Sequence, residues 1–271
     1  MKRVLVFEAH GDDMEFFAGG TIAKLCALGH DVSLVVATDN DKGSFELSAE
    51  QLRAARDGEI NGAAAVLGIK RVIPLGYSDG DLAYQASPDH LRGQFMRIIR
   101  ELKPDIVFTW DPFAPYEGHA DHRAVAVAAS EAASFSHFPL YYPEQIAEGL
   151  APHYVCETWF FAKSPRDLNK YVNVDDHIDT KIEALYQHDA QMVLTIADMQ
   201  QHLRASGLQV PELADLDPHD YREAIARRMK QVARAVAERS GLGCTFAEAF
   251  RRIRYGGIES LARDQQIPED V

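Results

Sequence analysis

Two short stretches concentrate side chains able to do metal chemistry. The first is His10-Gly11-Asp12-Asp13-Met14-Glu15, followed by Gly19-Gly20-Thr21; the second is Glu117-Gly118-His119-Ala120-Asp121-His122. Imidazole nitrogens and carboxylate oxygens are the donors that hold a divalent cation, and two histidines with one carboxylate make a three-ligand set that leaves a position open for water, as hydrolytic zinc requires. Either stretch alone is a weak signal. A single histidine is commonly packed or at the surface, and Asp121 suits the positive end of a helix with no further role. A phosphate-binding reading of the first stretch fails, because no G-x-G-x-x-G is present and three acidic groups would repel a pyrophosphate.

The two stretches need elements that bring them together. Short apolar runs at 3–9, 32–38, 71–75 and 105–110 alternate with amphipathic segments at 19–28, 48–67 and 88–102, which stop near Gly29, Gly68 and Pro104. That alternation predicts an α/β fold, Rossmann-like, with a mostly parallel sheet flanked by helices. In a 3-2-1-4 strand order the first and fourth strands are neighbours, and both stretches emerge at the carboxyl edge where the order reverses. A helix is expected from about His119 through Ala133, then an irregular segment from Phe135 to Pro152, either a lid or a crossover. Strands at 155–162 and 171–174 precede additional C-terminal helices from about residue 177: long patterns at 177–206 and 219–240 and a short one at 245–252. With no composition break or repeat, 1–271 reads as one domain.

Composition narrows the partners. Lysine plus arginine number 28 against 41 acidic residues, and the net charge of −13 argues against general attraction to nucleic acid or an anionic membrane. Cys26, Cys156 and Cys244 are too few and too irregularly spaced for a disulfide framework or a cysteine zinc site, which suits a reduced, cytoplasmic protein. The apolar run at the start closes at Glu8, too short for a signal peptide, and no stretch approaches the ~20 apolar residues of a membrane span.

Ala9-His10-Gly11-Asp12-Asp13-Met14-Glu15 with Gly19-Gly20-Thr21, and His119-Ala120-Asp121-His122 later in the chain, together resemble the two motifs of the PIG-L/LmbE-like zinc-dependent N-deacetylases, A-H-P-D-D-x-E with G-G-T and H-x-D-H. Weaker similarities run in order over about residues 3–191: Thr38-Asp39 with Gly43, Arg56-Asp57-Gly58-Glu59, Asp79-Gly80-Asp81, and Lys181 to Gln191. The resemblance implies removal of an acyl group from N-acetylglucosamine conjugates or related amino sugars. It makes His10, Asp13 and His122 the ligands of one zinc ion per chain, with iron(II) or another divalent metal as alternatives. Asp12 would be the general base, and His119 a protonated group beside the scissile carbonyl. Asp121 would orient a histidine ring, and Arg56 and Asp79 would bind sugar hydroxyls. The expected partner is a small amino-sugar conjugate; a homo-oligomer is left open.

The pattern departs from the family at three places. Gly11 stands where proline is usual, Tyr116 lies three rather than two residues before His119, and His188-Asp189-Ala190-Gln191 lacks the expected serine, leaving His188 without a specified role. Trp110, Phe113, Tyr116, Phe135, Phe138, Tyr141 and Tyr142 surround the second motif in sequence, and those outside the core are expected to form a stacking wall for the sugar or its aglycone, with 135–152 meeting the aglycone. Rival readings are a zinc amidase acting on a sugar-thiol conjugate, a non-haem iron oxygenase, and a non-catalytic sugar-binding protein. The oxygenase reading rests on His-x-Asp in a β-barrel rather than His-x-x-Asp in a βα pattern, and the presence of Asp12 counts against the non-catalytic one.

Overall fold

The computed structural model describes residues 1–254. Along the chain run β1 (Arg3–Glu8), α1 (Asp13–Ala27), β2 (Asp31–Thr38), α2 (Ala49–Leu67), β3 (Arg71–Tyr77), the single turn α3 (Leu82–Gln85), α4 (Pro88–Leu102), β4 (Ile106–Trp110) and α5 (Ala120–Phe135). After the short α6 (Pro143–Ala147) come β5 (Glu157–Phe161), β6 (Lys170–Asn173), α7 (Ile178–Gln187), α8 (Asp189–Ser206), α9 (Pro211–Ala214), α10 (Arg222–Ser240) and β7 (Ala247–Arg254).

Among the described residues, seven strands form one sheet in the order β3-β2-β1-β4-β5-β7-β6. The first five are parallel, and β7 runs antiparallel between β5 and β6. β1 alternates its side chains between two cores, as a strand covered on both faces must. Val4 and Val6 pack with Ile22 and Leu25 of α1 and Ala63 and Leu67 of α2, while Leu5 and Phe7 pack with Phe95 and Ile99 of α4 and Val125 and Ala129 of α5. Burying one such large apolar side chain is worth roughly 1.5–3 kcal/mol. Helix ends are written locally. Ser48 and Gln51 form a reciprocal capping box on α2, Gly68 closes that helix at φ 84°, and Ser87 accepts from the amide of His90 at the start of α4.

The expected mostly parallel sheet is present, and four details differ. α1 begins at Asp13, not near residue 19, so Asp13 and Glu15 lie on its first turn. The pattern at 177–206 breaks into α7 and α8 at His188, whose backbone leaves the helical region at φ −85°, ψ 56°. The segment 245–252 is not helix and enters the strand β7 at Ala247. Alanine, glutamate and arginine favour a helix by propensity, but β5 offers an unpaired edge, and Phe250 placed there packs on Trp159 with ring centroids 5.4 Å apart.

The fourth concerns 135–152. α5 leads away from the carboxyl edge, and the segment it enters is a crossover fixed at the amino edge. The buried Arg100 guanidinium donates to the carbonyls of Ser136, Phe138 and Tyr141 at 3.2, 2.9 and 2.8 Å, and the Ser136 hydroxyl to the carbonyl of His153. The His153 ring in turn meets the carbonyl of Pro104, just before β4, at 2.7 Å. It is therefore not a lid. Phe135, Phe138, Tyr141 and Tyr142 lie at the end of the sheet away from both motifs and form no wall beside them.

Candidate active site

The two motifs meet at the carboxyl edge of β1 and β4, the point where the strand order reverses. Glu8, fully buried at the end of β1, accepts from the Met14 amide at 3.0 Å and so caps α1 in place of Asp12, the residue at the N-cap position. Asp12 makes no capping bond and is free to turn its carboxylate elsewhere. Burial, reinforced by Glu15 and Asp13, raises the carboxyl pKa of Glu8 well above the ordinary range.

Asp13 is locked on one side. Its Oδ2 accepts from the amides of Ala9 and His10, both at 3.0 Å, and from the indole Nε1–H of Trp110 at 2.8 Å. Its Oδ1 lies 3.3 Å from Nε2 of His122, and that nitrogen is 3.1 Å from Nδ1 of His10. Ligand atoms bound to one zinc ion at ~2.0–2.1 Å in tetrahedral geometry stand about 3.3 Å apart. Two of the three spacings match that value, while Nδ1 of His10 stands 3.8 Å from Oδ2 of Asp13; the donor types suit a divalent cation, and the imidazoles of His10, His119 and His122 converge closely enough to hold one.

The outer nitrogens of both rings face carboxylates. Nε2 of His10 lies 3.0 Å from Asp79 Oδ1, and Nδ1 of His122 is 3.3 Å from Glu117 Oε1. For His10 the contact is a hydrogen bond, which directs the inner nitrogen's lone pair at the metal position and makes it more basic; Nδ1 of His122 lies near Glu117 without one. Burial opposes charge on His10, but Asp121, Asp13 and Asp79 outweigh it and hold its pKa well above that of an ordinary histidine; the same field favours a cation. Burial also works against ionised Asp13, yet His122 and His10 hold its carboxyl well below the usual range. The ring of His122 is further fixed by stacking on Trp110, centroids 4.0 Å apart.

His119 brings a third imidazole within 4.8 Å of those of His10 and His122. Its Nδ1 accepts from the Asp121 amide at 3.3 Å, which leaves Nε2 carrying the proton of a neutral ring. Burial, with His10 and His122 nearby, lowers its pKa. The fully buried Asp121 accepts from the amides of Gly80 and Leu82 at 2.6 and 3.1 Å, and its Oδ2 comes within 3.6 Å of His10 Nε2. It thus ties down the loop that carries Asp79 and approaches the ring of His10.

Asp12 lies beside the ligand set, and its Oδ1 meets Nη2 of Arg56 at 3.3 Å. Burial raises its pKa, and Arg56 offsets only part of that rise. Arg56 is 1% exposed and also reaches Glu59 at 2.8 Å and His188 at 3.2 Å. Phe113 and Tyr116 are the exposed aromatic residues on the β4–α5 loop, Tyr116 at a positive φ of 63°. Glu117 and His188 had no role in the sequence reading, because proximity in sequence does not say which carboxylate faces which ring.

Residues 5–133, which contain both motifs, match the family described as PIG-L: GlcNAc-PI de-N-acetylase. The diacetylchitobiose deacetylase of Thermococcus kodakarensis is 32% identical over 228 residues, covering 83% of this chain and 82% of its own. The chain belongs to the PIG-L family. Another relative, the 1D-myo-inositol 2-acetamido-2-deoxy-alpha-D-glucopyranoside deacetylase of Mycobacteroides abscessus, is 30% identical over 255 residues, 80% of this chain and 90% of that one. Among solved structures, the N,N'-diacetylchitobiose deacetylase of Pyrococcus horikoshii superposes with a TM-score of 0.75 at 28% identity, over 96% of this chain and 89% of its own. Gly11 has its own support. Its amide donates to Asn40 Oδ1 at 2.9 Å, a bond proline could not make, and a Cβ at this position would fall on the side chain of Ile60.

Proposed function

We propose that this PIG-L protein is a zinc-dependent N-deacetylase that frees acetate and an amine from the acetamido group of an N-acetylglucosamine conjugate. The observation that carries this reading is a buried carboxylate, Asp12, held by Arg56 at 3.3 Å next to the His10, Asp13 and His122 set but not part of it. Those three residues would hold the metal. When bound, a divalent cation polarises an amide carbonyl and lowers the pKa of water towards ~7.

Asp12 takes the proton of the water that attacks the amide carbon and gives it to the departing nitrogen as the C–N bond breaks. His119 donates its Nε2–H to the carbonyl oxygen as that oxygen gains charge, a contact that strengthens only in the transition state. Asp79, beside His10, has lone pairs left for a sugar hydroxyl; Arg56, deeper, borders the same crevice from behind Asp12. Acetate release from a panel of N-acetylglucosamine conjugates, with and without chelator, tests the proposal. Chelator-sensitive release from at least one of them is expected, and no release from any would reject the reading.

A further inference from the structure

His188 is the buried group that the chemistry above leaves unused. It is 0% exposed, it stands at the break between α7 and α8, and its ring points into the layer between α1 and α2. Nδ1 lies 3.2 Å from Nη1 of Arg56, and Nε2 lies 3.3 Å from Glu15 Oε1. A guanidinium has only donors, so Nδ1 must be the acceptor; the neutral ring then carries its proton on Nε2, facing the Glu15 carboxylate. The polarity runs outward from Arg56: Nη1 donates to His188 and Nη2 to Asp12, while Nε2 of His188 lies near Glu15 without a hydrogen bond. Glu59 completes the pattern, accepting from Arg56 at 2.8 Å through Oε2 and from the Ala190 amide at 2.8 Å through Oε1.

We infer that His188 is a positioning residue for the proton-transferring carboxylate: as an acceptor-only partner on one side of Arg56, it aims the guanidinium at Asp12 and so fixes Asp12 for attack. This rests on Asp12 being the general base. It also gives the helix break a physical reason. A continuous helix over 177–206 would satisfy the backbone equally well, but the break turns the imidazole inward and frees the Ala190 amide to hold Glu59. Arg56 is thereby gripped from two helices and one hinge, with each contact set by the direction in which its partner can donate or accept.

Position of the acceptor can be separated from polarity and bulk. In His188→Asn the amide oxygen hangs from Cγ as Nδ1 does; in His188→Gln it lies one bond farther out; in His188→Leu it is absent. We expect the leucine and glutamine variants to lose about 10–100-fold in kcat, the usual cost of removing a group that orients a catalytic one, with KM and metal content unchanged. Asparagine should recover most of the loss. Full kcat in leucine, or asparagine falling as far as glutamine, would overturn the inference, as would a rise in KM with kcat intact, which would mean that Arg56 serves substrate binding instead. If leucine does not fold, the asparagine and glutamine pair decides alone. Asp12→Asn measured alongside separates the two claims: its retained turnover would remove the base itself, whereas its loss beside active His188 variants removes only the role of His188.

Discussion

Single residues in this site divide by what their lone pairs and protons already touch. Asp13 has one oxygen saturated by three N–H groups and the other facing two imidazoles, so removing it or either histidine should strip the metal. His122→Ala is expected to contain much less than one equivalent of metal by elemental analysis; full occupancy would disprove the ligand assignment. Glu117→Gln should be milder. It leaves the ligand in place but removes the negative charge 3.3 Å from its outer nitrogen, and a fall of about 10–100-fold in metal affinity is expected by competition with a chelator. The residue types were legible in the sequence because both histidine and aspartate motifs are compact. Glu117 and His188 were not, since their roles depend on ring orientation and on a helix break.

At the scale of elements, the site depends on strands and helices held in register from far along the chain. β7 carries Glu248, whose carboxylate accepts from the amides of Gly20 and Thr21 in α1 at 3.1 and 2.7 Å and pairs with Lys181 of α7 at 2.6 Å, all buried. Glu248→Ala leaves a buried ammonium without its partner, and a loss of about 3–5 kcal/mol in unfolding free energy by denaturant titration is expected. Loss under 1 kcal/mol would show that the pair is not a fastening between these elements. The alternation along β1 and the capping box of α2 are local and were readable in advance. β7 was not, because its helix-favouring residues become strand only through the edge that β5 offers. The crossover at 135–152 was hidden for a related reason: Arg100 collects its carbonyls from a helix distant in sequence. Tyr141→Phe should therefore leave the ranking of substrates that differ in aglycone unchanged, and a reversed ranking in steady-state kinetics would contradict that placement.

For the whole molecule, the strand order matters most, because it puts the loops after β1 and β4 side by side and makes two weak motifs into one site. None of the helices among the described residues is long and apolar enough to cross a membrane. The metal position joins parts of the chain more than a hundred residues apart, so its occupancy should stabilise the folded state: a ligand at 1,000 times its Kd contributes about 4 kcal/mol. Chelation should lower the melting temperature, and restored zinc should return it; an unchanged transition would place the metal outside the folded core. The central claim is that Asp12 moves the proton while other residues hold the metal. The most direct test is acetate release from an N-acetylglucosamine conjugate by Asp12→Asn and the unaltered protein at matched metal content. The account predicts equal metal and turnover lower by about 10²–10⁴-fold; turnover near that of the unaltered protein would contradict it.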